Sequence, residues 1–130
     1  MQIGVTSDRF VKQMKKPHNV HPYSVRVEGI RRFLRNEDAL ERTEIVAIED
    51  EYGTATMSPV MEALVVSKER FRVARRINKL RRDSGLQPLE LIEAQMILAE
   101  DRRPISASRI RKGEITRTGE ITEKWSRRKA

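Results

Sequence analysis

The 130 residues contain no cysteine, which excludes disulfides, thiolate metal sites and a cysteine nucleophile. No apolar run approaches the roughly 18 to 20 residues that a membrane helix needs. The opening Met1-Gln2-Ile3-Gly4-Val5-Thr6 also lacks the charged-then-apolar design of a secretory signal, so a cytoplasmic protein without a membrane partner is expected. Aromatic residues make up only 5% of the chain and hydrophobic ones 38%, enough for one modest core and a single domain. The two histidines, His18 and His21, have no carboxylate or thiolate neighbour to complete a metal set, and no metal site is expected from them.

What the chain has in excess is positive charge. A formal net charge of +8 attracts polyanions, whether nucleotides, nucleic acid or an anionic surface. The cations gather between Arg70 and Arg82 and again at Lys124, Arg127, Arg128 and Lys129. On the first cluster, a nucleic-acid-binding helix competes with a solvated helix face. The solvated face is favoured, because the apolar stripe Val73, Ile77, Leu80 is intact and no stacking aromatics are interleaved.

Strand-prone and helix-prone stretches alternate. Gln2 to Val5 reads as a strand, and Thr6-Ser7-Asp8 caps a helix from Arg9 to about Lys15 with Phe10, Val11 and Met14 on one stripe. Pro22 opens a second helix to about Arg35, with Val27, Ile30, Phe33 and Leu34 inward. Glu44 to Ile48 and Glu62 to Val66 are apolar enough to be strands covered on both faces, separated by a long loop over 49–59. Ser67 is expected to cap a helix whose inner stripe is Val73, Ala74, Ile77 and Leu80 and which stops at Gly85. Leu89 to Leu98 reads as the last strand. This order predicts an α/β domain over 1–117, a parallel sheet with helices on both faces, and a basic tail over 118–130 held loosely except at Trp125. The echo of Gly113-Glu114-Ile115-Thr116 in Gly119-Glu120-Ile121-Thr122 is too short for a repeat architecture and reads as chance.

The strongest local signal is Pro104-Ile105-Ser106-Ala107-Ser108-Arg109-Ile110-Arg111-Lys112-Gly113. Ser106 suits an N-cap, and a helix start followed by cations is how a phosphate site is written; a capped surface helix with solvated charges fits the same spacing. Ile110 is expected to turn inward, with one flanking arginine aimed at a bound anion. In a parallel sheet, ligands sit beyond the carboxyl ends of the strands. Those ends here are Thr6-Ser7, Ile48-Glu49, Ser67-Lys68 and the approach to Ser106, and their convergence favours the phosphate site.

Gly4-Val5-Thr6-Ser7-Asp8-Arg9-Phe10-Val11, Lys15-Lys16-Pro17-His18 with Pro22-Tyr23 and Arg26-Val27, Tyr52-Gly53, Leu64-Val65-Val66-Ser67, Ile77-Asn78 with Arg81, and Leu98-Ala99-Glu100-Asp101 leading to Ile105-Ser106-Ala107-Ser108-Arg109-Ile110-Arg111 together resemble the archaeal type of phosphopantetheine adenylyltransferase. The resemblance runs in order from Gln2 to about Glu114. It implies a Rossmann-like nucleotidyltransferase that moves AMP from ATP to 4′-phosphopantetheine, giving dephospho-coenzyme A and pyrophosphate, with Mg²⁺ as cofactor. It implies catalytic roles for Ser106, Ser108 and Arg111. ATP would lie against Tyr52, Gly53, Thr54, Ser67, Ser106, Ser108, Arg109 and Arg111, and the phosphopantetheine or coenzyme A phosphate against Thr6, Lys15, Lys16 and Arg26. The usual closing motif of the superfamily, Ile-Ser-Ser-Thr-x-x-Arg, has Ala107 and Ser108 in place of a serine and a threonine, which leaves the backbone donors intact.

The family's first strand and its His-x-Gly-His turn have no counterpart in these residues. Adenylyl transfer is therefore expected to depend on restoring that segment, a non-catalytic nucleotide or coenzyme A binder being the alternative. In the family that strand runs between the two that end here at Val5 and Val66. Both are expected to have a free edge, through which copies can associate.

Overall fold

In the computed structural model, which describes residues 1–15 and 19–129, the order is β1 (Gln2–Thr6), α1 (Asp8–Gln13), α2 (Tyr23–Asn36), β2 (Glu44–Ile48), β3 (Ala63–Val66), α3 (Phe71–Asp83), β4 (Glu90–Glu93), α4 (Ala107–Arg111) and α5 (Glu123–Lys129). Strands alternate with helices and pair in parallel, as expected of an α/β chain. The expected single sheet is two: β1 pairs with β2 from Gln2 opposite Glu44 to Thr6 opposite Ile48, and β3 pairs with β4 from Ala63 opposite Glu90 to Val66 opposite Glu93. Among the described residues β1 and β3 each have one paired edge.

β3 and β4 are covered on one face rather than two, whereas in β2 the adjacent Ile45 and Val46 are both half-buried. Side chains alternate across a strand, so Leu64 and Val66 are half-buried while Val65, between them, is 64% exposed, and Ile92 opposite it is exposed as well. The last strand is shorter than Leu89 to Leu98. Ala94 donates the last bond of the ladder to the Val66 carbonyl, where β3 ends. On α2, Val27 and Leu34 are buried as expected but Phe33 is exposed, because it lies a residue off the stripe that meets β1.

α3 carries the best-defined core. Its inner stripe is Ala74, Ile77, Asn78 and Arg81, rotated from the expected Val73, Ala74, Ile77 and Leu80. Ile77 packs with Ala55 and Leu89, and Tyr52, Met61, Leu64 and Val73 surround them. Both polar members of the stripe are satisfied, as buried polar groups must be. The Asn78 amide donates to the Leu89 carbonyl at 3.0 Å and accepts from the Leu89 N–H at 2.7 Å. Arg81, 1% exposed, donates to the carbonyls of Gln87, Ala55 and Ser58 at 2.7, 2.8 and 2.8 Å. The helix ends at Gly85 as expected: with φ of 80° the chain reverses, Gly85 donates to Arg82 and Leu86 to Arg81, the paired bonds of a glycine-terminated helix.

Residues 118–122 are not a loose tail. Ile115 and Ile121 form an antiparallel bridge, Thr116 donates to Glu120 and Thr122 to Glu114 through the backbone, so the two echoed tetrapeptides are the facing arms of one hairpin. The tip packs down tightly: Gly119 is buried, its N–H bonds Thr116, and Glu100 donates to its carbonyl. A Cβ there would meet the Ala99 Cα at 3.0 Å, and its φ is 90°.

Candidate functional site

At the carboxyl end of β1–β2 the polar residues bind one another. Ser7 donates its N–H to the Ile48 carbonyl, and its hydroxyl accepts from the Phe10 N–H at 3.1 Å and donates to Glu49 at 2.6 Å. Arg26 reaches across from α2. Its Nη1 donates to the Thr6 carbonyl at 2.7 Å and the Thr6 hydroxyl at 3.0 Å, its Nε to the His21 carbonyl at 2.8 Å, and its Nη2 to Asp8 at 3.1 Å. Of the five N–H groups of a guanidinium, one remains for an incoming phosphate. Asp8 also accepts from the N–H of Tyr23, the first residue of α2. Thr6 and Arg26, both expected at the acceptor phosphate, are thus bound to each other in a pin that fixes α2 against β1. Lys15 is exposed with φ of 49°, a left-handed end to α1 that glycine usually occupies. Lys16 lies outside the described residues.

The loop after β2 is shaped by Asp50, whose Oδ1 accepts from the N–H groups of Tyr52 and Gly53 at 2.9 and 2.8 Å. Gly53 has φ of 56°, and a Cβ there would stand 2.9 Å from the Ile48 side chain. Thr54 hydrogen bonds to Gln2 at the start of β1. Tyr52 turns to α3, where it joins Arg72, Val73, Arg75, Arg76 and Lys79 around a cavity of about 530 Å³. Ser67 differs from expectation. It precedes a 3-10 turn, Lys68–Arg70, and its hydroxyl makes no capping bond; the cap is formed by its carbonyl, which accepts from Arg70 at 2.9 Å.

The Ser106 turn forms as read. Ser106 is extended, and its Oγ accepts from the Arg109 N–H at 3.3 Å to open α4. Arg109, expected beside the nucleotide, is turned inward instead and is 7% exposed. It donates to Glu114 at 2.7 Å, to the carbonyls of Pro104 and Arg103 at 3.0 and 3.3 Å, and to Asp101. An arginine in this position must satisfy its whole fork, and two carboxylates and two carbonyls of the preceding turn do so. The hydrogen bond from Arg109 holds the Asp101 carboxyl below its ordinary range, against the opposing effect of desolvation, and the same bond raises Arg109. Ser108 is half-buried and Arg111 exposed. Neither side chain has a hydrogen-bond partner among the described residues, so an anion can be met by both. No hydrogen bond or ion pair among the described residues joins this turn to a strand tip; its bonds close within 97–122.

Sequence reasoning missed Asn78 and Arg81 as the fixings of α3, although polar residues at 78 and 81, on the same face as Ala74 and Ile77, were the available signal. Among the described residues no group of three histidine, aspartate or glutamate side chains is placed to hold a metal ion, and no helix is long and apolar enough to cross a membrane.

A model of the cytidylyltransferase-like family matches residues 1–113. The backbone superposes on a crystal structure of a protein of unknown function from Archaeoglobus fulgidus with a TM-score of 0.60 at 28% identity, covering 81% of this chain and 77% of that one. Together these define a nucleotidyltransferase of the Rossmann-like α/β class. Phosphopantetheine adenylyltransferase of Methanothermobacter thermautotrophicus is 40% identical over 124 residues, which is 95% of this chain and 73% of that protein. The enzyme of the same name from Methanopyrus kandleri is 45% identical over 113 residues, 87% of this chain and 71% of that one. In a bifunctional phosphopantetheine adenylyltransferase/NTP phosphatase from Thermoplasma acidophilum, the match is 38% over 120 residues and 35% of that protein. The chain belongs to the phosphopantetheine adenylyltransferase family.

Proposed function

We propose that this chain carries adenylyl transfer from the magnesium complex of ATP to 4′-phosphopantetheine, releasing pyrophosphate and dephospho-coenzyme A, in the cytoplasm. An oxygen of the acceptor phosphate attacks the α-phosphorus, and the bond to the bridging oxygen of the β-phosphate breaks as pyrophosphate leaves. No protein nucleophile is required, so catalysis is positioning and charge stabilisation. Among the described residues no carboxylate cluster would cage an ion, so magnesium would be held chiefly through the triphosphate and would supply neutralisation of its charge.

The observation that carries the proposal is a fixed turn with free donors on it. Arg109 locks residues 101–114, and the Ser108 hydroxyl and Arg111 guanidinium stay unoccupied. In this reading Ser106 holds the turn and Ser108 and Arg111 take the nucleotide phosphates. Tyr52 to Thr54 and the free hydroxyl of Ser67 line its base and ribose, and Lys15, Lys16, Thr6 and the remaining N–H of Arg26 receive the acceptor phosphate.

Titration calorimetry with MgATP and MgCTP, followed by a pyrophosphate-release assay with 4′-phosphopantetheine, tests this directly. ATP should bind more tightly than CTP, and Arg111→Gln should weaken ATP binding about tenfold or more, the worth of a charge-assisted phosphate contact. Equal affinity for the two nucleotides, or an Arg111→Gln protein that binds ATP like the parent, would overturn the assignment.

A further inference from the structure

A dense block of positive charge lies on α3, and adenylyl transfer as proposed uses none of its cations. Arg72, Arg75, Arg76 and Lys79 recur at helical spacing on the outer face of α3, and with Glu51 and Tyr52 they line the cavity of about 530 Å³. A neighbouring cavity of about 480 Å³ lies between Lys68, Glu69, Phe71 and Glu93 and shares Arg72 and Arg75 with the first. The two adjoin at Arg72 and Arg75, and the second carries two carboxylates, Glu69 and Glu93.

In the first cavity four cations face one carboxylate, Glu51. Arg72 and Arg76 have no hydrogen bond or ion pair among the described residues. Arg75 has only the Phe71 ring, 6.0 Å from its guanidinium carbon to the ring centre. Lys79 is paired with Asp83 at 3.2 Å, but both are well exposed, where such a pair is weak.

An unliganded surface helix would not select this arrangement. Arg72 lies in the first turn, where the helix dipole repels a cation. Arg72 with Arg76, and Arg75 with Lys79, are like charges four residues apart, which destabilises a helix. No acidic residue interrupts α3 before Asp83. A bound anion relieves all of these at once, and local choices that work against the fold mark function. The four cations span about 10 Å at 1.5 Å per residue, the reach of a short chain of phosphates, to which the arginine fork is matched. Tyr52, from the distant loop after β2, adds a ring at one side of the row. The volume lies within the roughly 300 to 1,000 Å³ of small-molecule sites.

We propose that the outer face of α3, with Tyr52 beside it, is a groove for a small polyphosphate, inorganic or borne on a nucleoside, separate from the Ser106 turn. It shares Tyr52 with the adenylyl-transfer reading but none of the four cations, and it does not need that reading. The test is calorimetry of inorganic tripolyphosphate into the full chain at about 0.15 M salt, with thermal melts to establish that each variant is folded. Arg75→Gln with Arg76→Gln should weaken binding about tenfold or more, Arg75→Lys with Arg76→Lys less, and Ser106→Ala with Ser108→Ala less than about twofold. If the glutamine pair does not fold, the lysine pair carries the comparison, since losing the fork must still weaken binding measurably. No binding by the parent, binding indifferent to both arginine pairs, or equal loss from the serine pair overturns the proposal. A short single-stranded oligonucleotide that binds more tightly than tripolyphosphate, and loses that affinity in the arginine variants, reassigns the groove to nucleic acid and overturns the small-ligand assignment.

Discussion

The segment from Asp101 to Thr122 and the outer face of α3 use the same side chain in opposite ways. Arg109 donates to two carboxylates and two carbonyls inside its segment, while Arg76 on α3 lines an open cavity and has no hydrogen bond or ion pair among the described residues. The inward manner recurs at Arg26, which ties the carbonyls of Thr6 and His21, and at Arg81, which ties those of Ala55, Ser58 and Gln87. In each case a guanidinium gathers the carbonyls of a chain reversal that secondary structure leaves unpaired. A chain with little apolar material and no disulfide uses arginine to fix its turns, and only the arginines left over are available to a ligand.

Arg81→Met should break that division most visibly. The aliphatic stem is replaced, but the carbonyls of buried Ala55 and half-buried Ser58 lose their donor, with that of exposed Gln87, and each buried unsatisfied group carries a desolvation penalty of about 1 to 3 kcal/mol. A total loss of about 3 kcal/mol or more is expected in urea unfolding, against about 0.5 kcal/mol or less for Arg76→Met on the outer face of the same helix. Equal losses from the two would mean that inward and outward arginines are not energetically distinct.

The second way to sharpen the comparison is acid. Asp101 has a carboxyl held below its ordinary value of 3.8, first by the hydrogen bond from Arg109. On lowering the pH the unfolded chain takes up this proton before the folded one does, so the contribution is complete above about pH 4 and is lost as pH falls through the lower folded value. Thermal melts between about pH 5 and pH 2 should therefore steepen in the parent, and Asp101→Asn should flatten the curve. It should also start lower, because Arg109 loses a charged partner. An Asp101→Asn protein with the parent's pH profile would remove Asp101 from the lock.

Much of this was legible in the residues. The bounds of β2, the Ser106 cap and the Gly85 stop follow from strand composition, a hydroxyl at a helix start and a glycine at its end, all local rules. The role of each arginine was not, because Arg109 and Arg111 stand two residues apart in one motif and differ only in which side of a five-residue helix they leave. Asn78 and Arg81 entered only through the resemblance, and their role in fixing α3 escaped because an apolar stripe was sought, and Val73 and Leu80 drew it one step around the helix. Tyr52 lies 20 residues before Arg72 in the chain. A search for aromatics interleaved with the cations along the sequence cannot find a ring that the loop after β2 supplies in space. The echoed tetrapeptides looked accidental for the same reason: their pairing across a hairpin is a contact and has no period.

The finest distinction is between two serines in one turn. Ser106 accepts the Arg109 N–H, so Ser106→Ala removes a cap, a change of about 1 kcal/mol or less for so short a helix. Ser108 has a hydroxyl without a partner among the described residues, and Ser108→Ala should leave the unfolding midpoint within error while weakening ATP binding. Stability and affinity then separate at adjacent turns of chain: one hydroxyl belongs to the lock with Arg109, the other to the outward set with Arg111. A Ser108→Ala protein that melts as early as Ser106→Ala would return that hydroxyl to the fold, and the division between fixed and available groups would fail at the residue where phosphate binding needs it.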